Sequence, residues 1–582
     1  MADLHGIDYA VLVFYLVLVL GIGFYFRRFV QGGRDYFVAG NIMPWWVAGL
    51  SIFMGQFSAW TFTGAAAMAY KHGTTIMLCF MTALAGYLFA AFVLAPRWRR
   101  SRVLTPVQFL RQRYNPATIK VYSWFLSALM FFSVGIGLNA LAKFFGNYVH
   151  LAANPQTNVD IIAMIGGAVV LCYALLGGLW AVAISDVVQF IILLVIVVFM
   201  VPLSLAKVGG LSGLISGWPA GELAPLHAGT LFKPYEFGSL VYVFGWMIML
   251  ATAANSEKAA QRYYSVPDER HSRNAALMAG VCFFLCPILF FIPPLVARIT
   301  HPGLTDAQVD WAYAQIAKEV LPAGMIGLLL AGMASATMSM LDSVVNMVPA
   351  ILSRDVFQPM LKAKDDDRTL LVIGKVVTLV LGVGAIGVAI LVNHGFESVF
   401  GALTKLWSWG GLAYAIPVIL GLLVYRTSQW AALIVLPAGT ATAIICTELL
   451  HFQPYGYTIP IVLAVTLGTF FGSRLFDRKG KDPAYDASRD ELFGRLARPV
   501  NVAEEVARAR PEAAGPSPMT FVGVCTMLIG GMLAVAAALE PVAADRLVII
   551  LAAAILVAVG GVLWVRARSG APRTSETTGT EK

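Results

Sequence analysis

Long runs of apolar residues recur along the chain and are separated by short polar stretches. A run of about 20 apolar residues predicts a transmembrane helix, because a rise of about 1.5 Å per residue then spans the bilayer core. We count fifteen runs and expect an all-α polytopic membrane protein with about 15 transmembrane helices. The predicted spans are residues 8–26, 45–70, 75–95, 118–147, 158–177, 180–204, 237–258, 272–299, 321–353, 370–393, 398–425, 429–450, 456–475, 519–540 and 545–566.

Polar residues follow one face of the ninth predicted span. Stepping about 100° per residue brings several hydroxyls and one carboxylate into a single quadrant. A carboxylate at membrane depth costs several kcal/mol unless it is paired, protonated or bound to a cation, so the stripe predicts an ion path. The alternative is that its serines bind a neighbouring helix and its aspartate accepts backbone hydrogen bonds. The stripe contains Ser335, Ser339, Asp342, Ser343, Asn346 and Ser353.

Composition agrees with a membrane protein. The chain is 59% hydrophobic and only 13% charged, against about 25% in soluble domains. The net charge of +9 follows from Lys and Arg on loops, so we expect a lipid bilayer around the chain and no nucleic-acid partner. All six cysteines lie in apolar segments, and no nucleophile–base arrangement stands out. We therefore expect no enzyme, and no obligatory protein partner is evident.

The basic residues predict the orientation of the chain. Five segments rich in Lys and Arg fall on the same side of a count of fifteen spans, and the opposite loops carry almost none. Such a bias marks the cytoplasmic side. We expect an inner or plasma membrane protein with its N-terminus outside and its C-terminus cytoplasmic. The five segments are RRFVQGGR, PRWRRSR, KAAQRYYSVPDERHSR, SRLFDRKGK and RARSGAPR.

Some segments between and after the spans have their own character. Residues 477–518 alternate charges with helix formers, which predicts a cytoplasmic amphipathic connector. Residues 567–582 are small and polar and are expected to be a disordered cytoplasmic tail. Residues 205–236 and 300–320 are the longest predicted extracellular loops, and the second has the apolar spacing of a short helix.

Four short motifs occur in a characteristic order. They are GGRDYFVAGNIMPWWVAGLS at residues 32–51, GGLWAVAISDVVQF at 177–190, QRYYSV at 261–266 and MSMLDS at 338–343. In order and spacing they resemble the sodium/solute symporter family over residues 1 to about 480. The resemblance implies the leucine-transporter type of fold, with two five-helix inverted repeats whose first helices are broken at mid-membrane.

This resemblance implies a division of the chain. The broken helices would be residues 45–70 and 237–258. Small and polar residues at 51–64, and Thr252, Asn255 and Ser256 in the partner, suit a break that lines a cavity, although helix packing also uses small residues. The units are 1–44 (first helix and cytoplasmic link), 45–204 (repeat 1), 205–236 (extracellular loop), 237–425 (repeat 2), 426–476 (helices 12 and 13), 477–518 (connector), 519–566 (helices 14 and 15) and 567–582 (tail).

The resemblance also implies a sodium site between the second and ninth spans. Family members use backbone carbonyls of the second span with carbonyl and hydroxyl oxygens of the ninth. A fifth ligand, usually Ser or Thr, falls here on Met340, whose thioether is a poor ligand for a hard cation. The four remaining roles fall on Met54, Phe57, Ala336 and Ser339.

Two carboxylates offer compensation for Met340. Asp342 lies one turn along the stripe, and Asp186 matches a family aspartate of the cytoplasmic exit route or of a second sodium site. With Ser343 they could bind a cation, or one of them could carry a proton. Alternatively, Asp186 is only a structural carboxylate at the start of a helix or at a helix interface.

The resemblance places the solute between the broken helices and the eleventh span. Lys405 lies beside Trp407 and Trp409, where it could attract a carboxylate while a tryptophan stacks on a sugar ring. Alternatively, Lys405 extends its ammonium to the outer interface. The candidate substrate residues are Gln56, Ser58, Thr61, Thr252, Lys405 and Trp409.

Together these features predict a secondary-active symporter. It would import a small polar organic solute (a sugar, a carboxylate or an amino-acid-like compound) on a cation gradient, with sodium as the expected ion and a proton as the alternative. An uncoupled transporter of the same fold, or a transporter-like solute sensor, would also fit this sequence.

Overall fold

The computed structural model is helical throughout the part of the chain that it describes. Caps begin several helices: the side chains of Ser239, Asp268 and Ser398 accept backbone N–H bonds in the first turn. The described residues are 4–26, 41–103, 105–174, 179–218, 239–305, 308–361, 367–395, 398–452, 458–477, 482–502 and 517–569.

The helices are numbered here in chain order. The first nine are α1 (Gly6–Phe26), α2 (Trp45–Met54), α3 (Ala66–His72), α4 (Thr75–Ser101), α5 (Pro106–Arg113), α6 (Pro116–Gly146), α7 (Pro155–Ala174), α8 (Leu179–Lys207) and α9 (Gly210–Gly217). The others are α10 (Leu240–Ser256), α11 (Lys258–Tyr264), α12 (Glu269–Thr300), α13 (Ala312–Val320), α14 (Met325–Ile351), α15 (Asp367–Gly395), α16 (Val399–Leu423), α17 (Ala431–Ile444), α18 (Thr458–Gly472), α19 (Pro483–Ala497), α20 (Pro518–Leu539) and α21 (Ala543–Ser569).

The predicted membrane spans are confirmed as helices. Within the described residues, 13 helices are long and apolar enough to cross a bilayer, and two shorter apolar helices, α2 and α10, complete the series. Each of the fifteen predicted spans therefore has a helical counterpart, and the protein is a multi-pass membrane protein. The two short helices belong to the second and seventh predicted spans, the two that were expected to be broken.

The first break lies where the sequence predicts it. Helix α2 ends at Met54, the chain turns at Gly55 and Gln56, and a π-helical turn at Thr61–Ala65 leads into α3. The N–H of Gly55 still donates to the Ser51 carbonyl at 2.9 Å, but the N–H of Phe57 reaches only the Met54 carbonyl, at 3.0 Å. The regular hydrogen-bond ladder is thus interrupted in the middle of a buried span.

The second break differs from the expectation by one residue. The polar residues up to Ser256 remain in α10, and the chain breaks at Glu257, which has φ −131° and ψ −99°. The prediction that the segment KAAQRYYSVPDERHSR is a cytoplasmic loop is wrong for its first seven residues, because Lys258–Tyr264 forms α11 and all seven of its residues are buried. Charged residues directly after an apolar run resemble a loop in sequence, but here they continue the broken helix.

Helix α14, the ninth predicted span, lies at the centre of the protein. Its membrane-spanning window is fully buried, and it packs against α1, α6 and α8. Asp8 holds its N-terminal end by accepting the N–H groups of Gly324 at 2.6 Å and Gly327 at 2.7 Å. Gly324 has φ +85°, a conformation that favours glycine. The described side chains of the polar stripe are therefore sealed from lipid.

The segments outside the spans are more helical than predicted. Helix α9 lies within the predicted 205–236 loop, and α21 continues through residues 567–569 of the predicted tail. Helix α13 confirms the short helix expected within residues 300–320. Helix α19 confirms helical structure in the 477–518 connector and docks on α5, where Arg113 donates to the Tyr485 hydroxyl at 2.7 Å. Residues 219–238 of the first long loop, residues 503–516 of the connector and the tail from residue 570 lie outside the described residues.

Candidate cation and solute site

Asp186 joins three helices beside the first break. Its side chain on α8 has no exposed surface. One carboxylate oxygen accepts the Ser51 hydroxyl of α2 at 2.5 Å, and the other accepts the Ser339 hydroxyl of α14. The candidate aspartate is therefore an interface group, and it also links the broken helix to the polar stripe.

Arg262 lies against the same cluster from the second broken helix. Its guanidinium donates to the Ser51 hydroxyl at 3.1 Å and to the Ser343 hydroxyl at 2.8 Å, and it lies 4.0 Å from the Asp186 carboxylate. Only 1% of its side chain is exposed. A fixed cation therefore contacts two of the three groups that were expected to hold a second cation, Asp186 and Ser343.

The four residues of the predicted sodium site, Met54, Phe57, Ala336 and Ser339, are all fully buried. The Thr337 hydroxyl accepts the Ala59 N–H at 3.0 Å, which ties α14 to the chain just after the break. Since Ser339 gives its proton to Asp186, the hydroxyl lone pairs can face a cation. Carbonyl and hydroxyl oxygens of this kind suit a hard cation such as sodium.

Met340 packs where the family pattern has a hydroxyl. Its side chain is 8% exposed, and a Cβ built on Gly137 of α6 would come within 2.3 Å of its terminal methyl. The glycine therefore makes room for the long thioether. The side chain also borders the central cavity, where it contributes no hard oxygen ligand.

Lys258 places an ammonium group at the first break. Its Nζ donates to the Gly55 carbonyl at 3.2 Å, and its residue is 8% exposed. This contact joins the start of α11 to the turn that follows α2. The two breaks thus meet through a charged side chain.

A cavity of about 110 Å³ opens between the two broken helices. Its walls are mostly apolar and include the aromatic side chains of Trp60, Phe80, Trp246 and Trp407. Polar groups also reach it, and two of them, Gln56 and Ser58, belong to the predicted substrate set. The polar and charged lining residues are Gln56, Ser58, Ser133, Glu257, Lys258 and Thr404.

The remaining predicted substrate residues lie elsewhere. The Thr252 hydroxyl donates to the Ile248 carbonyl of its own helix at 2.7 Å. Thr61 is buried in the π-helical turn and does not border the cavity. Lys405 pairs with Glu448 at 2.9 Å. Lys405 and Trp409 both line a second cavity, of about 460 Å³, which lies between α6, α15, α16 and α17. The spacing of these residues in the sequence does not show which of the two cavities each residue lines.

Several buried residues of the site were not predicted as functional. Ser51 and Arg262 lie inside two of the four motifs, so the motifs could have indicated them as functional residues. Glu257 and Lys258 follow an apolar run, and in sequence they look like the first residues of a loop. Thr337 lies between Ala336 and Ser339, but off the polar stripe. The side chain of Asn346, a stripe residue, lies outside the described residues.

Comparisons with known proteins identify the family of the chain and its fold. The model of the sodium:solute symporter family matches residues 36–439. The sodium/myo-inositol cotransporter 2 of Sus scrofa is 27% identical over 65% of this chain and 60% of its own length. The sodium/glucose cotransporter 2 of Rattus norvegicus is 25% identical over 63% of this chain and 60% of its own length. The chain thus spans about 60% of the length of these relatives.

A solved structure has the same fold. It is the substrate-bound outward-open state of a Na⁺-coupled sialic acid symporter, and it aligns with a TM-score of 0.66 and 19% identity. The alignment covers 80% of this chain and 98% of the solved one. At this identity the likeness shows the architecture and leaves the solute open.

Proposed function

We propose, from the premise that this chain belongs to the sodium:solute symporter family, that it is a secondary-active symporter of the cell membrane. It imports a small polar organic solute on an inward sodium gradient. The observation that carries the proposal is the contact of the first break with α14, where the Ala59 N–H donates to the Thr337 hydroxyl and the Ser51 and Ser339 hydroxyls share the Asp186 carboxylate. In the proposed orientation the N-terminus is outside and the C-terminus is cytoplasmic.

The proposed sodium site uses the oxygens of four residues. Met54, Phe57 and Ala336 supply backbone carbonyls, and Ser339 supplies its hydroxyl. A sodium ion at this point holds α2 against α14 and favours the conformation that binds solute. Rocking of the helix bundle then exposes the site to the cytoplasm, and the ion leaves past Asp186.

The buried charges around the breaks favour a bound cation. The buried ionisable side chains there include three carboxylates and two basic groups. A carboxylate at membrane depth is costly unless it is paired, protonated or bound to a cation, so these carboxylates support a bound cation. The five residues are Asp186, Asp342, Glu257, Lys258 and Arg262.

A second cation near Asp186, Asp342 and Ser343 would compete with a positive charge that is already there. Arg262 already donates to Ser343 and lies 4.0 Å from Asp186. A second ion would have to displace this guanidinium or bind beside it. We therefore place the principal sodium site at the break and give Asp186 a role in its release.

Proton coupling is the alternative that a specific observation favours. The Lys258 ammonium donates to the Gly55 carbonyl, next to the carbonyls proposed to bind sodium, and Met340 removes one expected ligand. A lysine that loses and regains its proton there would alter the charge at the break without any sodium ion. Uptake driven by a pH gradient in sodium-free buffer would identify this mechanism.

Gln56 and Ser58 are the proposed solute contacts that border the central cavity. Four other candidates lie outside it: Thr61, Thr252, Lys405 and Trp409. They would contact the solute only in another conformation of the protein or along the route to the site. The cavity volume of about 110 Å³ suits a solute of few non-hydrogen atoms.

The experiment that tests sodium coupling needs no solute. We would measure the melting temperature of the purified protein in sodium chloride and in potassium chloride at equal ionic strength. A ligand of the folded state stabilises it by RT ln(1 + [L]/Kd), so sodium at ten times its Kd adds about 1.4 kcal/mol. A saturable, sodium-specific rise supports the proposal. Equal curves in the two salts contradict it.

A further inference from the structure

Glu257 and Lys258 bring opposite charges to the wall of the central cavity. Both side chains are buried, at 3% and 8% exposure, and both border the cavity. Within the described residues, Oε2 of Glu257 has no hydrogen-bond partner. A buried carboxylate oxygen without a partner is costly, so the cavity lacks a donor at this point.

Two hydroxyls of the cavity wall act as acceptors. The Ser133 hydroxyl donates its proton to the Leu129 carbonyl at 2.9 Å, and the Thr404 hydroxyl donates to the Phe400 carbonyl at 2.9 Å. Each hydroxyl therefore offers lone pairs to a solute but no proton. An ammonium group, which only donates, matches such a surface.

Lys258 supplies hydrogen-bond donors to the cavity. Its ammonium uses one N–H on the Gly55 carbonyl and has two further N–H groups to offer. The Gln56 amide borders the same space. Together they can donate to a carboxylate on the solute.

The opposite charges of Glu257 and Lys258 favour a solute with no net charge. A solute with one ammonium group and one carboxylate can pair with both side chains, whereas an anion or a cation can pair with only one of them. The aromatic wall, which includes Trp60, Phe80 and Trp246, is suited to an apolar side chain.

We propose that the solute is a zwitterionic amino acid, with its ammonium group on Glu257 and its carboxylate on Lys258. This inference rests on the proposed symport and names the class of its solute. It differs from the polyol and sugar in the names of the two relatives, so the charged pair would set the specificity of this chain.

The test compares matched probes in proteoliposomes that contain the full chain and carry a sodium gradient. The probes are L-alanine, L-valine and L-proline as zwitterions, L-lactate without the ammonium group, L-alaninol without the carboxylate, and myo-inositol as a neutral polyol. We expect uptake of at least one zwitterion, with the three remaining classes at least tenfold weaker. Preferred uptake of lactate, alaninol or myo-inositol overturns the inference but leaves sodium symport standing. Uptake of none of the three zwitterions also overturns the inference, and the sodium dependence of the melting temperature then decides separately whether sodium coupling stands.

Substitutions then locate the recognition. Glu257→Gln and Lys258→Met should each weaken binding of the transported zwitterion at least tenfold, measured as the solute-induced rise in melting temperature. Exposed control residues of the same types, changed in Glu491→Gln and Lys120→Met, should leave it unchanged. The sodium-induced rise reports that each variant is folded. If Glu257→Gln loses that rise as well, Glu257→Asp decides: a restored solute response supports the inference, and a lost one contradicts it.

Discussion

The two broken helices are interrupted by residues of different chemistry. The first break, Gly55 to Ser58, is built from backbone and neutral side chains, and the oxygens that it contributes to the proposed sodium site are backbone carbonyls. The second break, at Glu257, is built from ionisable side chains: Glu257, Lys258 and, one turn later, Arg262. The two breaks meet at the Lys258 contact with Gly55.

This difference suggests a division of labour. Carbonyl oxygens have a fixed partial charge, so the first break can bind a small cation without any change in protonation. Ionised side chains carry whole charges, so the second break can select a charged solute and hold the first break in place. Four variants separate these roles, from the largest expected effect to the smallest.

Arg262→Gln should have the largest effect. It leaves Asp186 buried without its neighbouring cation, and breaking a buried pair in this way costs about 3–5 kcal/mol. We expect a strong fall in melting temperature and loss of uptake.

The double variant Asp186→Asn with Arg262→Gln provides the control, because removing both charges should restore much of the stability. The exposed Arg426→Gln should change little. If Arg262→Gln melts like the unmodified protein, the guanidinium does not stabilise the cluster.

Ser339→Ala should affect the sodium response more than the stability. The variant loses a hydroxyl ligand of the proposed ion, and we expect sodium affinity to fall at least tenfold, about 1.4 kcal/mol. Ser335→Ala is the matched control, since the Ser335 hydroxyl lies on the same stripe and donates to the Ala331 carbonyl. The measurement is the sodium dependence of the melting temperature, and similar curves for both variants would argue against the site.

Met340→Ser should move sodium affinity in the opposite direction. A hydroxyl at this position restores the fifth oxygen ligand, and a gain of about tenfold corresponds to roughly 1.4 kcal/mol. The lost thioether leaves space against Gly137, so some stability is lost in the absence of sodium. Met338→Ser, a buried methionine of the same helix, should lose stability without the gain. A gain in neither variant would mean that position 340 does not face the ion.

Gly55→Ala should have the smallest effect. Gly55 has φ −64°, which any residue adopts, and a Cβ there would lie 3.1 Å from the Ser51 carbonyl oxygen and 3.6 Å from the Ser343 hydroxyl. We expect a loss below about 1 kcal/mol and an unchanged sodium response, both read from the melting temperature. Gly64→Ala is the contrast, because its Cβ would come within 2.9 Å of the Phe400 backbone nitrogen. A large loss in Gly55→Ala would show that the break itself depends on glycine.

The division of the chain into spans could be predicted because it follows from local composition. Apolar length alone located the helices, and small and polar residues at 51–64 located the first break. The face of α14 that carries Ser339 and Asp342 followed from helical spacing. These features depend on neighbours in sequence, and a bilayer imposes them on each segment separately.

The sequence by itself thus determined a multi-pass helical protein, the place of the first break and the polar face of α14. Only the tertiary structure decided which charges are buried. Lys258 and Arg262 looked like loop residues until α11 brought them to Gly55 and Asp186, and Lys405 looked like a solute ligand until its pairing with Glu448 placed it at another cavity. The physical reason is that the energy of a charge in a membrane depends on the partners that distant segments supply, and local sequence does not contain those partners.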